Sequence, residues 1–198
     1  MKEKPLEDVI QGVLFSYNGE NSFVQKVCTP FFNTVAENFI NSGLKSAVDK
    51  PYYPPTNSSR QFQGPRNYVD PTLLLLGLSV FLKTPIGEWM VNKLCDEIYD
   101  AMIRPALKKL FTGYKEHGYN RLIEFKFEAY YEADDLHVLI HAFANSDEEL
   151  QQIEALIPEA QQKALAWVEK NGITGKTLLY TIKNGELSNY PAISQERP

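Results

Sequence analysis

The chain has 198 residues and a net charge of −5, with 43% hydrophobic and 23% charged residues. These proportions are those of a globular protein with a buried core, folded as one domain or two small ones. The acidic balance leaves no obvious basic face, which is not typical of nucleic-acid-binding proteins, so we expect no nucleic-acid partner.

The cysteines and the first residues point to a reducing compartment. Charges of both signs in residues 1–8 precede only a short apolar stretch, which does not fit a secretory signal peptide. Cys28 and Cys95 both lie in apolar surroundings, where a thiol is most often buried and reduced. We therefore expect a cytoplasmic protein. Neither cysteine belongs to a Cys-x-x-Cys pair or a Cys/His cluster, and we predict no metal and no cofactor.

Helical patterns dominate the N-terminal half. Residues 7–17 are ambiguous between a short helix and a strand. Residues 22–42 carry apolar side chains at spacings of three and four, which predicts a helix that Gly43 ends. Pro30 lies inside this pattern, so we expect a kink or break near Thr29.

The apolar run at residues 73–82, with the sequence LLLLGLSVFL, is interpreted as a buried core helix that begins at Pro71 and ends at Pro85. The run has about half of the roughly 20 residues that a membrane-spanning helix needs. The alternative is an interfacial helix, with residues 72–94 on a membrane, although the cationic face typical of such helices is missing. A further helix is predicted over residues 86–111, bent by Pro105 and ended by Gly113.

Residues 50–71 form a loop rich in proline and tyrosine. Loops of this length inside a domain are usually functional or disordered. Exposed tyrosines are favoured at protein interfaces, because they bury a large rigid area and keep a polar tip. The loop is therefore one of two predicted partner-binding regions.

The C-terminal half predicts a β-hairpin on either side of residues 132–135. Apolar and polar residues alternate through both arms, and a four-residue loop pairs Tyr131 with Leu136. The same register pairs positions 129 with 138, 127 with 140 and 125 with 142, so that apolar residues share one face. On the other face, His137 lies opposite Tyr130 and His141 opposite Lys126.

A helix and a second hairpin follow. Ser146 and Glu149 form a capping box at the start of a helix that Asn171-Gly172 ends and that Pro158 is expected to divide. Residues 177–183 and 186–190 then predict two strands joined by a type I′ turn at Asn184-Gly185.

The predicted fold class is α+β. A mainly helical region at residues 1–113 precedes a small antiparallel β-β-α-β-β unit at residues 114–198, and the two could form one integrated domain. The exposed edges of the small sheet make a homodimer possible.

The polar face of the first hairpin is the second predicted partner-binding region. His137 and His141 would stand about 13 Å apart along a strand, too far to share a metal ion. Lys126 would also repel a cation, so we predict a partner-facing surface with no catalytic or metal site. The predicted partner-binding residues are Tyr52, Tyr53 and Tyr68 in the loop and Lys126, Glu128, Tyr130, His137 and His141 on the hairpin.

The leading hypothesis is a non-enzymatic protein-binding or regulatory module with another protein as its partner. An inhibitor or an immunity-type protein is one form of such a module. No phosphate-binding loop, nucleophile elbow or zinc-protease motif is present, which argues against an enzyme. The alternatives are a peripheral membrane protein that uses residues 72–94 and a small hydrolase or metal enzyme.

Overall fold

The computed structural model describes residues 5–18, 28–45, 73–116 and 122–198. In this part of the chain, seven strands form one mixed sheet in the order β1-β2-β3-β4-β5-β6, with β7 also paired to β5. The strands are β1 (Ile10–Asn18), β2 (Leu73–Leu82), β3 (Leu122–Tyr131), β4 (Leu136–Ala144), β5 (Thr177–Lys183), β6 (Glu186–Leu187) and β7 (Ala192–Ser194).

The helices of the described residues lie between these strands in the chain. They are α1 (Leu6–Val9), α2 (Thr29–Asn41), α3 (Glu88–Lys93), a π-helical segment (Leu94–Ile103), α4 (Arg104–Glu116) and α5 (Asp147–Asn171), with one 3₁₀ turn at Glu132–Asp134. None of the helices in this part of the chain combines the length and apolar character that crossing a bilayer requires.

The predicted fold class is wrong. There is no separate β-β-α-β-β unit behind a helical N-terminal half in the described residues, because β1 and β2 join the C-terminal strands in one sheet. β1 pairs antiparallel with β2, and β2 pairs parallel with β3. Parallel neighbours need a crossover connection, and the helical stretch from α3 to α4 supplies it.

The predicted core helix at residues 73–82 is also wrong, because this run is strand β2. Residues 76–82 are all buried between β1 and β3. A central strand that is buried on both faces shows no alternation, so its apolar run cannot be distinguished from a buried helix by periodicity. The interfacial-helix alternative for residues 72–94 loses its basis for the same reason.

Around α2, the local sequence predicted the end of the helix correctly. The ambiguous residues 7–17 are mostly strand β1, and Pro30 lies in the first turn of α2, where its missing N–H costs nothing. Gly43 ends the helix with a φ of +82°, and the amide of Leu44 donates to the carbonyl of Phe39 at 2.9 Å. This is a Schellman motif. The predicted start of the helix at residue 22 lies outside the described residues.

The helix predicted over residues 86–111 runs from Glu88 to Glu116, three residues past Gly113. The π-helical segment ends just before Pro105. At this point the amide of Arg104 donates a hydrogen bond to the carbonyl of Tyr99, five residues earlier. The wider turn provides room for a proline ring, which would crowd the preceding turn of an ordinary α-helix.

The register predicted for the first hairpin is confirmed at every pair, from Tyr131 opposite Leu136 to Phe125 opposite Ala142. The type I′ turn at Asn184-Gly185 is also confirmed, with φ values of +54° and +74°. Ser146 caps α5, which is not divided at Pro158. The second arm of the later hairpin is interrupted, so that β6 and β7 pair with β5 in succession.

The helices pack on one face of the sheet. Phe31 of α2 contacts Phe125 edge-on, and Tyr99 of the π segment contacts Phe127 in the same way. These strand residues belong to the apolar face that the alternation predicted. The polar residues of β3 and β4 therefore point to the opposite side of the sheet.

Candidate functional site

The polar face is defined here by seven side chains on three adjacent strands: Ser79 on β2, Glu124, Lys126, Glu128 and Tyr130 on β3, and His137 and His141 on β4. It contains all five hairpin residues that the sequence predicted as partner-binding. The other predicted residues, Tyr52, Tyr53 and Tyr68, lie outside the described residues.

The inner dyad consists of Glu128 and His137. Nδ1 of His137 forms a short hydrogen bond with Oε1 of Glu128, and the hydroxyl of Ser79 donates to Oε2 of the same carboxylate at 2.6 Å. Ser79 is 1% exposed, and Glu128 and His137 are each 2% exposed. A carboxylate buried this deeply needs such partners, since burial of an unpaired charge is very costly.

The free ring nitrogen of His137 is the unusual feature of this dyad. Its Nε2 is buried and has no hydrogen-bond partner among the described residues. The ring of Tyr130 stacks on the imidazole, with 4.3 Å between centroids and 29° between planes. Buried polar atoms are nearly always hydrogen-bonded, so Nε2 of His137 is a buried atom that could still exchange a hydrogen bond or a proton.

The outer dyad consists of Glu124 and His141. Nε2 of His141 forms a short hydrogen bond with Oε1 of Glu124, and Nζ of Lys126 lies 3.2 Å from the same oxygen. Burial alone raises the pKa of Glu124, but the hydrogen bond and charge of His141, together with Lys126, outweigh it. The pKa of Glu124 therefore lies below its ordinary value. The side chains of His141 and Lys126 are 21% and 20% exposed, so this dyad is nearer to solvent.

The two dyads are separate sites. Both histidines are on β4, four residues apart, which corresponds to about 13 Å along a strand. Within the described ranges there is no group of three or more histidine, cysteine, aspartate or glutamate side chains that could hold a metal ion. The side chains of the polar face are suited to hydrogen bonding and proton transfer.

The sequence missed Ser79. Its signal was weak, because Ser79 is simply the one hydroxyl residue in the apolar run and its partner Glu128 is 49 positions away. In the parallel ladder of β2 and β3 the two residues lie opposite each other. Only the pairing of these strands reveals the contact.

A charged cluster borders the His137 end of the polar face. Asp135 accepts hydrogen bonds from Arg197 at 2.8 and 3.0 Å, from Lys176 at short range and from the Tyr130 hydroxyl at 3.2 Å. Burial raises the pKa of Asp135, but the bonds from Lys176 and Arg197 outweigh it, so this pKa lies below its ordinary value.

The two cysteines have the properties of buried, unreactive thiols. Both are buried and unpaired, as the sequence predicted. Burial raises the pKa of each thiol to about 12. A thiol with such a pKa is protonated at neutral pH and is a poor nucleophile.

Known proteins offer no further guide to this site. No protein-family model matches the chain, and no curated protein or solved structure matches it significantly.

Proposed function

We propose that the chain binds a small polar ligand on the polar face and exchanges a proton with it through His137. The observation that carries this proposal is the buried Nε2 of His137, which has no hydrogen-bond partner among the described residues while Glu128 holds Nδ1. A carboxylate bonded to one imidazole nitrogen keeps the proton there and leaves the other nitrogen as a base.

The ligand class follows from the unsatisfied atom. With a proton on Nδ1, Nε2 is an acceptor, so it suits a ligand that presents an O–H or N–H group. In a proton transfer, the ligand's proton moves to Nε2 and the ligand keeps the electron pair. The resulting imidazolium is paired with the carboxylate of Glu128, which stabilises it as in a hydrolase triad.

Nitrogen-15 NMR of the histidine rings tests this proposal, since long-range couplings distinguish the two neutral tautomers. We expect His137 to carry its proton on Nδ1. Glu128→Gln should shift the ring toward the Nε2–H tautomer, because a carboxamide no longer demands a donor from the ring. The matched variant Glu124→Gln should leave His137 unchanged. An Nε2–H tautomer in the unaltered protein would refute the proposal.

A ligand screen extends the test to binding. A panel of small alcohols, amines and amides would be added while the Nε2 resonance of His137 is recorded. A ligand of the expected class shifts that resonance in the unaltered protein and in His141→Gln, but the shift is absent in Glu128→Gln. If ligands of the panel bind the unaltered protein but not His141→Gln, binding is assigned to the outer dyad instead.

A second candidate is the protein-binding or regulatory module that the sequence predicted, and exposed apolar side chains favour it. Tyr190 is 73% exposed, Ile173 46% and Ile193 43%, all at or beside the outer edge formed by β6 and β7. An open edge strand can pair with another chain. A cytoplasmic location belongs to this proposal, since free thiols persist in a reducing compartment.

The partner to test for this edge is a second copy of the chain, because two β7 strands can pair antiparallel about a two-fold axis. Light scattering over a concentration series should then show a dimer. Ile193→Lys should weaken the dimer, whereas Ile40→Lys, at an equally exposed position (40%) on α2, should not. A monomer at every concentration would refute the proposed homodimer.

A further inference from the structure

The segment after β7 is tied to β5, the strand that neighbours His137. The amide of Lys176 donates to the carbonyl of Ser194 at 2.8 Å. The hydroxyl of Thr177 then donates to the carbonyl of Glu196 at 3.0 Å. Thr177 lies opposite His137 in the parallel ladder of β4 and β5, so its side chain is on the polar-face side of the sheet. The carbonyl of Glu196 is therefore bound to the residue that lies opposite His137 in the sheet.

A chain of contacts links the same segment to the histidine ring. Arg197 holds both oxygens of Asp135, which also accepts the hydroxyl of Tyr130. Tyr130 stacks on His137. Moving Arg197 therefore removes one cationic partner of Asp135, which Lys176 also holds and which accepts the hydroxyl of the stacked ring.

We propose that residues 195–198 form a strap that closes the inner dyad, with the Asp135–Arg197 pair as its latch. This inference rests on the proposed function, because the strap would control the access of the ligand to Nε2 of His137. The ligand enters when the strap lifts and the contact between Arg197 and Asp135 breaks. Asp135 and Tyr130 are positioning residues, since they act on the ligand only through His137.

The latch is weak enough to open. The side chains of Asp135 and Arg197 are each 30% exposed. Ion pairs near the surface contribute little, because water screens them and ordering two side chains costs entropy. The strap also includes the Thr177 contact and a bond from Gln195 to the carbonyl of Thr174 at 2.7 Å. Polar contacts near the surface suit a segment that opens locally while the sheet stays folded.

The rate at which diethyl pyrocarbonate modifies His137, measured by mass spectrometry in the full chain, tests the strap. Arg197→Gln should raise this rate by up to about fivefold, the factor that a lost surface ion pair allows. His141 serves as the internal reference and should change less than twofold. Lys163→Gln breaks a comparably exposed pair on α5 and should leave the rate at His137 unaltered.

An unchanged rate at His137 in Arg197→Gln would overturn the strap. If Arg197→Gln fails to fold, Thr177→Val removes the hydrogen bond to the carbonyl of Glu196 and must raise the rate in the same way. This outcome is separate from the proposed function, which depends on the tautomer of His137. A reactive His137 with the wrong tautomer rejects the proton-transfer proposal and keeps the strap, and the reverse result rejects the strap alone.

Discussion

At the scale of single residues, the inner and outer dyads are both pairs of a glutamate and a histidine, but the inner dyad is more deeply buried. Glu128 is 2% exposed and its carboxylate is held by Ser79 and His137. Glu124 is 7% exposed and has Lys126 as a second partner beside His141. Because water cannot replace a lost partner at the inner dyad, the two histidines should differ in their effect on stability.

His137→Ala should lower the free energy of unfolding by about 3 kcal/mol or more, since it leaves a buried carboxylate without its main partner. His141→Ala should cost about 1 kcal/mol or less, because Lys126 and solvent still reach Glu124. Urea denaturation of both variants measures the difference. Equal costs would show that the two dyads lie in similar environments.

The lowered pKa of Glu124 predicts a pH dependence of stability. The group's contribution is complete above its unfolded value of 4.5 and is lost as the pH falls through the lower folded value. The difference in unfolding free energy between the unaltered protein and Glu124→Gln should therefore shrink as the pH falls below 4.5. A difference that grows on acidification would contradict the sign of the shift.

At the scale of elements, α5 tolerates Pro158 because another element supplies the missing hydrogen bond. A proline at this position cannot donate to the carbonyl of Glu154, four residues earlier. The hydroxyl of Tyr99, on the π segment, donates to that carbonyl at 2.8 Å instead. The sequence predicted a division at Pro158, because the compensating donor, Tyr99, lies 55 positions before Glu154 and is not visible in the local pattern.

Tyr99→Phe should lower the free energy of unfolding by about 1–3 kcal/mol, the cost of a buried carbonyl left unpaired. In a Pro158→Ala background, the alanine amide can make the helical bond, so the same change should cost less. A double-mutant cycle by urea denaturation measures this coupling. Additive effects would mean that the two residues do not share the carbonyl.

The elements that the sequence predicted correctly depend on neighbours along the chain. The first hairpin is defined by its alternation and a short loop, α2 ends at a glycine with a positive φ, and α5 begins at a serine cap. β2 depends instead on β1 and β3, which are far away in sequence. Its all-apolar run carries no period, and so neither its type nor the Ser79–Glu128 contact could be read locally.

At the scale of the whole molecule, the two thiols report on global unfolding. Cys28 precedes α2 and is 0% exposed, while Cys95 lies in the π segment and is 6% exposed. At neutral pH, neither should react with an aromatic disulfide reagent in the native protein. Both should react over the same range of urea in which circular dichroism shows unfolding. Fast labelling of either thiol in native buffer would show that its region opens separately.

The parallel pairing of β2 with β3 has a consequence for the order of events during synthesis. β2 leaves the ribosome well before β3 exists, because the whole stretch from α3 to α4 is translated between them. Until Leu122 and the residues after it emerge, one edge of the LLLLGLSVFL run has no strand to pair with. A nascent chain in this state presents an apolar edge of the kind that chaperones bind and that drives aggregation. The β2 residues, which lie between two strands in the finished sheet, thus need shielding until β3 has been made.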